Sequence, residues 1–327
     1  MILEHLEKLL RTEAENRPPN NPFRASAMGR CIREGCFDLL GLKGEPMQPR
    51  RMLTLHHGTA IHDALLTPLI KKAMGWRVVD GKDLGDNWVE IDGVKIGYHI
   101  DLAFQHETPA WEGLPGSLMS IGVAEIKGWT DITFDKAARG EIDREVHAQA
   151  WVYHEATAFN PVVFLGFKKK TSHMVEIVFD RNQREQVVTQ TLTGDPILLA
   201  KEDPILLTEI VSPFDPSVEK YVRERIKWLK ATRDNCFGGL DTIKAVIPGA
   251  DAVEDEVEKI QGQKAAANYM QKYPEAKGLP ERNGSWYSFK TGRKILGFPC
   301  SYCSHKARCY PTAAMEMKGD RPVFVIP

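Results

Sequence analysis

Long hydrophobic runs are missing from this chain: no stretch approaches the roughly 20 apolar residues that a membrane span needs, so no membrane partner is expected. No secretion leader is expected either. The N-terminal MILEHLEKLLRTEAEN is amphipathic but acidic and lacks a cleavage-site pattern, so it reads as a helix. Cysteine is scarce, six in 327 residues, and scattered apart from one tight group near the C-terminus. Without a leader, that usage points to free thiols or metal ligands in a reducing cytoplasm rather than to disulfides. No G-x4-GK[ST] stretch is present, which removes a P-loop helicase motor. Charge of one sign is absent as well: 43 Lys and Arg face 44 Asp and Glu. That balance argues neither for nor against nucleic acid, because acidic surface elsewhere offsets a basic groove.

What remains is an ordinary globular composition, 43% hydrophobic and 27% charged, long enough for one large core or two modest ones. A first helix is predicted over 2–16, ended by Pro18 and Pro19. A second starts at Ser26, carries Arg30, Cys31 and Arg33, and stops at Gly41. Residues 46–51 read as a linker. Ile61, Leu65 and Leu69 then space a helix of about four turns. From Arg77 the period switches to two, with strands predicted over 88–91, 94–104, 120–127, 162–168 and 173–179 and a helix over 141–158. Residues 181–298 read as a mostly helical insertion. The Asp195-Pro196 and Asp203-Pro204 pairs each have the form of a helix start, and Val218, Val222, Ile226 and Leu229 mark an amphipathic helix over 217–233. Residues 283–297 are Gly-punctuated and partly strand. The whole reads as one α/β domain on a mixed sheet: an arm (1–50), a core (51–180), the insertion (181–298) and a cysteine-bearing end (299–327).

Four short patterns carry chemistry. Glu125 and Lys127 in VAEIKGW are two apart, so on a strand both point to one face while Ile126 points to the other. Asp101 ends KIGYHID among apolar neighbours. His62 follows Gly58 by four residues on the helix before the sheet, and Gln149 and Tyr153, also four apart, share one face of the later helix. Singly each has an ordinary reading, as surface, core or polar stripe. Their order is what distinguishes them.

That order, helix histidine, strand aspartate, strand E-x-K, then helix Q-x-x-x-Y, resembles the RecB-like branch of the PD-(D/E)XK nucleases over roughly residues 51–180. The chain departs from the branch in having Tyr98 or His99 where a glycine often lies nearer the aspartate. The resemblance implies a restriction-endonuclease-like mixed sheet flanked by helices. It implies a Mg²⁺ or Mn²⁺ held by His62, Asp101, Glu125 and the backbone carbonyl of Ile126. Such a metal would activate water for phosphodiester hydrolysis. Lys127 would orient the water and offset charge on the phosphate, and Gln149 and Tyr153 would position the scissile strand. Lys168, Lys169 and Lys170 could contact phosphates or form a solvated hairpin.

Cys300, Cys303 and Cys309 lie within ten residues, a strong metal signal that requires a fourth ligand. Cys31, Cys36 and Cys236 are the candidates. If residues 26–40 are helical, Cys31 and Cys36 lie about 140° apart and cannot both face one cluster. SAMGRCIRE resembles the Ser-x4-Cys-x-Arg signature of cluster-bearing RecB-like nucleases, among them CRISPR-associated exonucleases and the AddB nuclease domain. By that resemblance Cys31 joins the C-terminal three around a [4Fe–4S] cluster that staples the chain ends; Cys36 and Cys236 are ordinary buried thiols. Structural zinc is the alternative, with His305 able to replace a cysteine. The expected function is a metal-dependent DNA exonuclease acting on single strands or duplex ends, in phage recombination or CRISPR-type processing. Arg24, Arg30, Arg33, Arg50 and Arg51 would guide DNA. A recombination or CRISPR-adaptation protein is the expected partner, and a homo-oligomer is compatible. A non-catalytic DNA-binding or scaffold protein on the same fold is the alternative.

Overall fold

Period-two alternation builds a seven-stranded mixed sheet, seen in a computed structural model that describes residues 2–17, 21–39, 44–84, 87–109, 117–190, 206–234, 278–280, 285–288, 294–296, 304–305, 314–318 and 321–326. Contacts divide the chain into two compact units. One gathers Met1–Asn20, Cys31–Pro49 and Trp228–Pro327; the other gathers Asn21–Arg30 and Arg50–Lys227.

The second unit holds the large sheet. Its strands are β1 (Val78–Asp80), β4 (Leu102–Pro109), β5 (Ser117–Trp129), β6 (Val162–Lys168), β7 (Met174–Phe179), β8 (Val187–Gln190) and β9 (Leu206–Ser212), in the order β1-β4-β5-β6-β7-β9-β8. β5 with β6 and β7 with β9 are parallel; the other pairings are antiparallel. The first parallel pair needs a crossover, and α5 (Asp131–Ala137) and α6 (Arg144–Thr157) supply it. Thr130 caps α5 by accepting from the Thr133 N–H. A separate ribbon pairs β2 (Asn87–Ile91) with β3 (Val94–Tyr98).

The helix before the sheet is longer than predicted. It runs without a break from α3 (Pro49–Ala60), through a π turn (Ile61–Leu66), into α4 (Thr67–Met74). The expected linker over 46–51 therefore already contains its first turn. Pro68 explains the π turn: inside a helix, proline lacks an N–H and crowds the carbonyl four residues back. The backbone widens just before it, with Thr67 N–H donating to the carbonyl of His62. This shifts the phase of everything beyond. Ile61 and Leu66 are buried and Ile70 packs on the same cluster with Leu102, Ala124 and Ile126. Leu65 and Leu69, which a pure 3.6 period would bury, are 46% and 53% exposed.

The first unit carries α1 (Ile2–Asn16), α2 (Ile32–Leu39) and a five-stranded antiparallel sheet, β10 (Gly278–Pro280), β11 (Ser285–Ser288), β12 (Lys294–Leu296), β13 (Ala314–Lys318) and β14 (Arg321–Ile326). α1 and the strands within 283–297 match expectation. The second helix does not: a short 3₁₀ turn at Ala25–Ala27 is followed by α2 from Ile32, so Arg30 and Cys31 precede the helix. The angular argument separating Cys31 from Cys36 falls with it. α7 (Pro216–Asp234) buries Val218, Val222, Ile226 and Leu229 as its spacing requires. The rest of 181–298 departs from the helical expectation: among its described residues are five strands, β8 to β12, beside that one helix. Leu206 and Leu207 of the second Asp-Pro segment are in β9, where pairing with β7 and β8 outweighs the local helix-start signal; the first Asp-Pro segment lies outside the described residues.

The strand predicted over 94–104 is instead two. β3 and β4 join different sheets, and residues 99–101 leave both ladders. Their backbone is satisfied elsewhere: the His99 carbonyl accepts from the Tyr153 hydroxyl at 2.5 Å, and the Asp101 carbonyl accepts from the Gly81 N–H at 2.8 Å. Gly81 has no alternative there, since a Cβ would fall 1.6 Å from the Ile100 carbonyl oxygen. Gly81→Ala is expected to cost about 3 kcal/mol of stability, because backbone rather than a yielding side chain must move. Urea unfolding checks this; a loss under about 0.5 kcal/mol would contradict the packing described.

Candidate functional site

β5 carries the site because its neighbours end or bend beside it. β4 pairs Leu102 with Ala124, so continuing the register by one step sets Asp101 opposite Glu125. Asp101 Oδ2 accepts from the Ile126 N–H at 2.7 Å, fixing the carboxylate against the strand. Its Oδ1 lies 3.0 Å from His62 Nε2, in the π turn. That nitrogen is buried and faces the carboxylate as a short charge contact. The contact raises the His62 pKa to about 9, chiefly through Asp101 and against the lowering effect of burial. His62 Nδ1 meets Asp63 Oδ1, which also accepts from Lys82 Nζ at 3.3 Å. The imidazole beside it holds the Asp63 carboxyl below its ordinary range.

A second network starts one residue away. Lys127 Nζ donates to Glu125 Oε1 at 2.7 Å, as two same-face residues of a strand can. The Tyr153 hydroxyl lies 2.7 Å from Glu125 Oε2 and shares its one proton between that oxygen and the His99 carbonyl, while the phenol oxygen accepts from Gln149 Nε2 at 2.6 Å. Gln149 and Tyr153 are 3% and 1% exposed. Sequence reasoning gave them the scissile strand; buried as they are, they hold Glu125 and the His99 carbonyl instead. Burial and the nearby Glu125 charge push the Tyr153 phenol well above its ordinary pKa, so it stays a donor.

Thus His62, Asp101, Glu125, Lys127, Gln149 and Tyr153 meet around three residues of β5. The donor set suits a hard divalent cation: two carboxylates and an imidazole whose buried Nε2 makes no hydrogen bond. Ligation by His62 would require its proton to leave. In the arrangement seen, each carboxylate is engaged by internal partners. Among the described residues no three His, Cys, Asp or Glu side chains gather as a metal-holding group.

The lysine run divides three ways. Lys168 donates to Asp135 at 2.6 Å and lies over the Phe134 ring, while Lys170 is exposed. Lys169 turns inward, its Nζ 3.4 Å from the Thr54 carbonyl, and burial lowers its pKa. Of the arginines, Arg24, Arg50 and Arg51 are exposed and Arg30 lies 3.7 Å from Glu145; the Arg33 side chain falls outside the described residues. So do Cys300, Cys303, Cys309 and Cys236. Cys31 is half-buried, and Cys36 is buried with Thr232 donating to its sulfur at 3.2 Å. His305 is buried, its Nε2 3.2 Å from Asp38 Oδ1 and its ring 5.2 Å from that of Phe37. Sequence reasoning missed Asp63, Lys82 and Gly81; only the adjacency of Asp63 to His62 offered a signal.

No protein-family model and no curated protein matches the chain. Among solved structures it is similar to the crystal structure of SSO0001, at 15% identity over 76% of this chain and 96% of that one, with a TM-score of 0.37. A likeness at that level says nothing of activity. Among the described residues no helix is long and apolar enough to cross a membrane.

Tyr153→Phe would take from Gln149 Nε2 its acceptor and from Glu125 Oε2 and the His99 carbonyl the one proton they share. A loss of about 1–3 kcal/mol is expected in chemical denaturation. An unchanged midpoint would mean that the hydroxyl does not organise these groups.

Proposed function

We propose that this chain is a metal-dependent DNA exonuclease of the RecB-like PD-(D/E)XK type. It would cleave phosphodiester bonds in single strands or duplex ends, in the reducing cytoplasm, during phage recombination or CRISPR-type DNA processing. The observation that carries this reading is the junction on β5: Asp101 bonded to the Ile126 N–H and in contact with His62, with the Glu125–Lys127 pair one residue to either side.

Asp101, Glu125, His62 and the Ile126 carbonyl would hold Mg²⁺ or Mn²⁺, which when bound polarises the phosphoryl oxygens and lowers the pKa of a bound water. The remaining work belongs to the chain. Tyr153 and Gln149 keep the Glu125 carboxylate from swinging away, so little reorganisation is needed on binding. The Lys127 amine, already beside that carboxylate, orients water and offsets charge building on the phosphate. Contacts to DNA would be mostly to its backbone.

One observation favours a second reading, a non-catalytic DNA-binding or scaffold protein: both carboxylates are engaged by internal partners. Incubating end-labelled DNA with Mn²⁺ separates the two. The wild type is expected to degrade it, and Lys127→Ala to be slower by at least about 100-fold, the low end for a positioned acid–base group. Equal rates in both proteins would end the enzyme reading for this site.

We also propose that Cys31, Cys300, Cys303 and Cys309 bind a [4Fe–4S] cluster, with zinc as the alternative metal. The support is local packing. Ser304 and His305, inside the C-terminal cysteine run, contact Glu45, Phe37 and Asp38 on and after α2, and Cys31 directly precedes that helix. Cys31→Ala is expected to lose iron and lower the melting temperature, since a four-ligand site contributes folding energy directly. Cys36→Ala is expected to keep its iron. Iron analysis after anaerobic purification checks both; stoichiometric zinc in a colourless wild-type protein would replace the cluster.

A further inference from the structure

Lys168 turns toward Phe134 and Asp135, whereas Lys169 turns toward the helix that precedes the sheet. Lys169 sits in the turn after β6, where Ser172 N–H donates to the Lys168 carbonyl at 2.9 Å. Among the described residues no carboxylate lies within ion-pair distance of its amine, whereas Lys168 has Asp135. One glycine, Gly128, makes room for it, and a second, Gly58, lies in ordinary contact with it. A Cβ on Gly128 would fall 2.7 Å from Lys169 Cε, and one on Gly58 would fall 3.7 Å from its Nζ; the Gly58 Cα is 3.9 Å from that Gly128 position. The amine therefore occupies a slot between the helix that carries His62 and the strand that carries Glu125 and Lys127. Gly58 lies about 6 Å before His62, one helical turn. Successive residues of a strand point to opposite faces, so Lys127 and Lys169 flank β5 from its two sides.

Among the described residues, this half-buried cation has a single backbone carbonyl within reach and no counter-charge. We propose that Lys169 binds a backbone phosphate next to the one that is cleaved, which makes it a positioning residue and gives Gly128 a role in admitting it. This rests on the nuclease reading above. A point charge on a flexible stem suits a phosphate whose neighbours differ in sequence.

The test uses a labelled single-stranded oligonucleotide of mixed sequence. Its Kd is measured by anisotropy in EDTA over a range of salt, and its cleavage with Mn²⁺. Lys169→Ala is expected to raise Kd and KM by about three- to tenfold and to cut the salt slope by about 0.7, the loss of one phosphate contact, while kcat changes less than about twofold. Lys169→Arg should restore the slope. Gly128→Ala, whose new methyl crowds the flexible end of the lysine and meets the Gly58 Cα only at ordinary contact distance, should reproduce the Lys169→Ala binding defect without an added loss in the double variant. If the wild type cleaves and Lys169→Ala matches its Kd and slope, the lysine assignment fails alone. If the wild type neither binds nor cleaves, both readings fail. Should Lys169→Ala not fold, a Gly128→Ala protein with wild-type Kd overturns the assignment.

Discussion

The Asp101 carboxylate has two oxygens and two obligations, and the arrangement of the second unit follows from them. One oxygen holds the Ile126 N–H of the central strand; the other faces the His62 ring from the helix packed beside it. A group so placed couples an element of the sheet to one outside it at the point where β3 stops and β4 begins. The cost is a break in the ladder, offset because the stranded carbonyls of His99 and Asp101 find donors in Tyr153 and Gly81. Loss of either donor would unseat the carboxylate without touching it.

Glu125 answers a similar demand from the opposite side. Its neighbours in the chain, Ala124 and Ile126, go to the apolar cluster under the helix, so its own side chain is directed at α6. There burial would be costly without partners, and Lys127, Tyr153 and, through Tyr153, Gln149 supply them. The polar stripe of α6 is therefore spent on holding a carboxylate. The Arg223 and Glu219 pair on α7, by comparison, is exposed and adds little.

How much of this could be read from the letters depends on the range of the forces involved. α7 and β6 were legible because period alone decides which face is buried. His62, Asp101, Glu125 and Lys127 were legible as a set, because residue type and order survive whatever the exact geometry. The division of residues 94–104 was not, since it depends on acceptors meeting Tyr153 and Gly81 far away in sequence. α5 was missed because seven residues are too few to show a period, and β9 because its Asp-Pro start mimics a helix cap while its pairing partners are remote. Nor could the Gln149–Tyr153 spacing say whether that face would meet substrate or a neighbouring carboxylate.

The π turn has one further consequence. A helix segment of this kind is one residue longer per turn than its surroundings, so it works as a phase shifter between two stretches of regular helix. Ile61 and Leu66 can both reach the apolar cluster while His62 reaches Asp101. Removing a single residue from 63–65 would turn the Thr67 to His62 bond into an ordinary i→i−4 one and leave Ile61 and Leu66 four apart on one face, so the apolar stripe and the line of the helix on either side would survive while the widened turn itself would be lost.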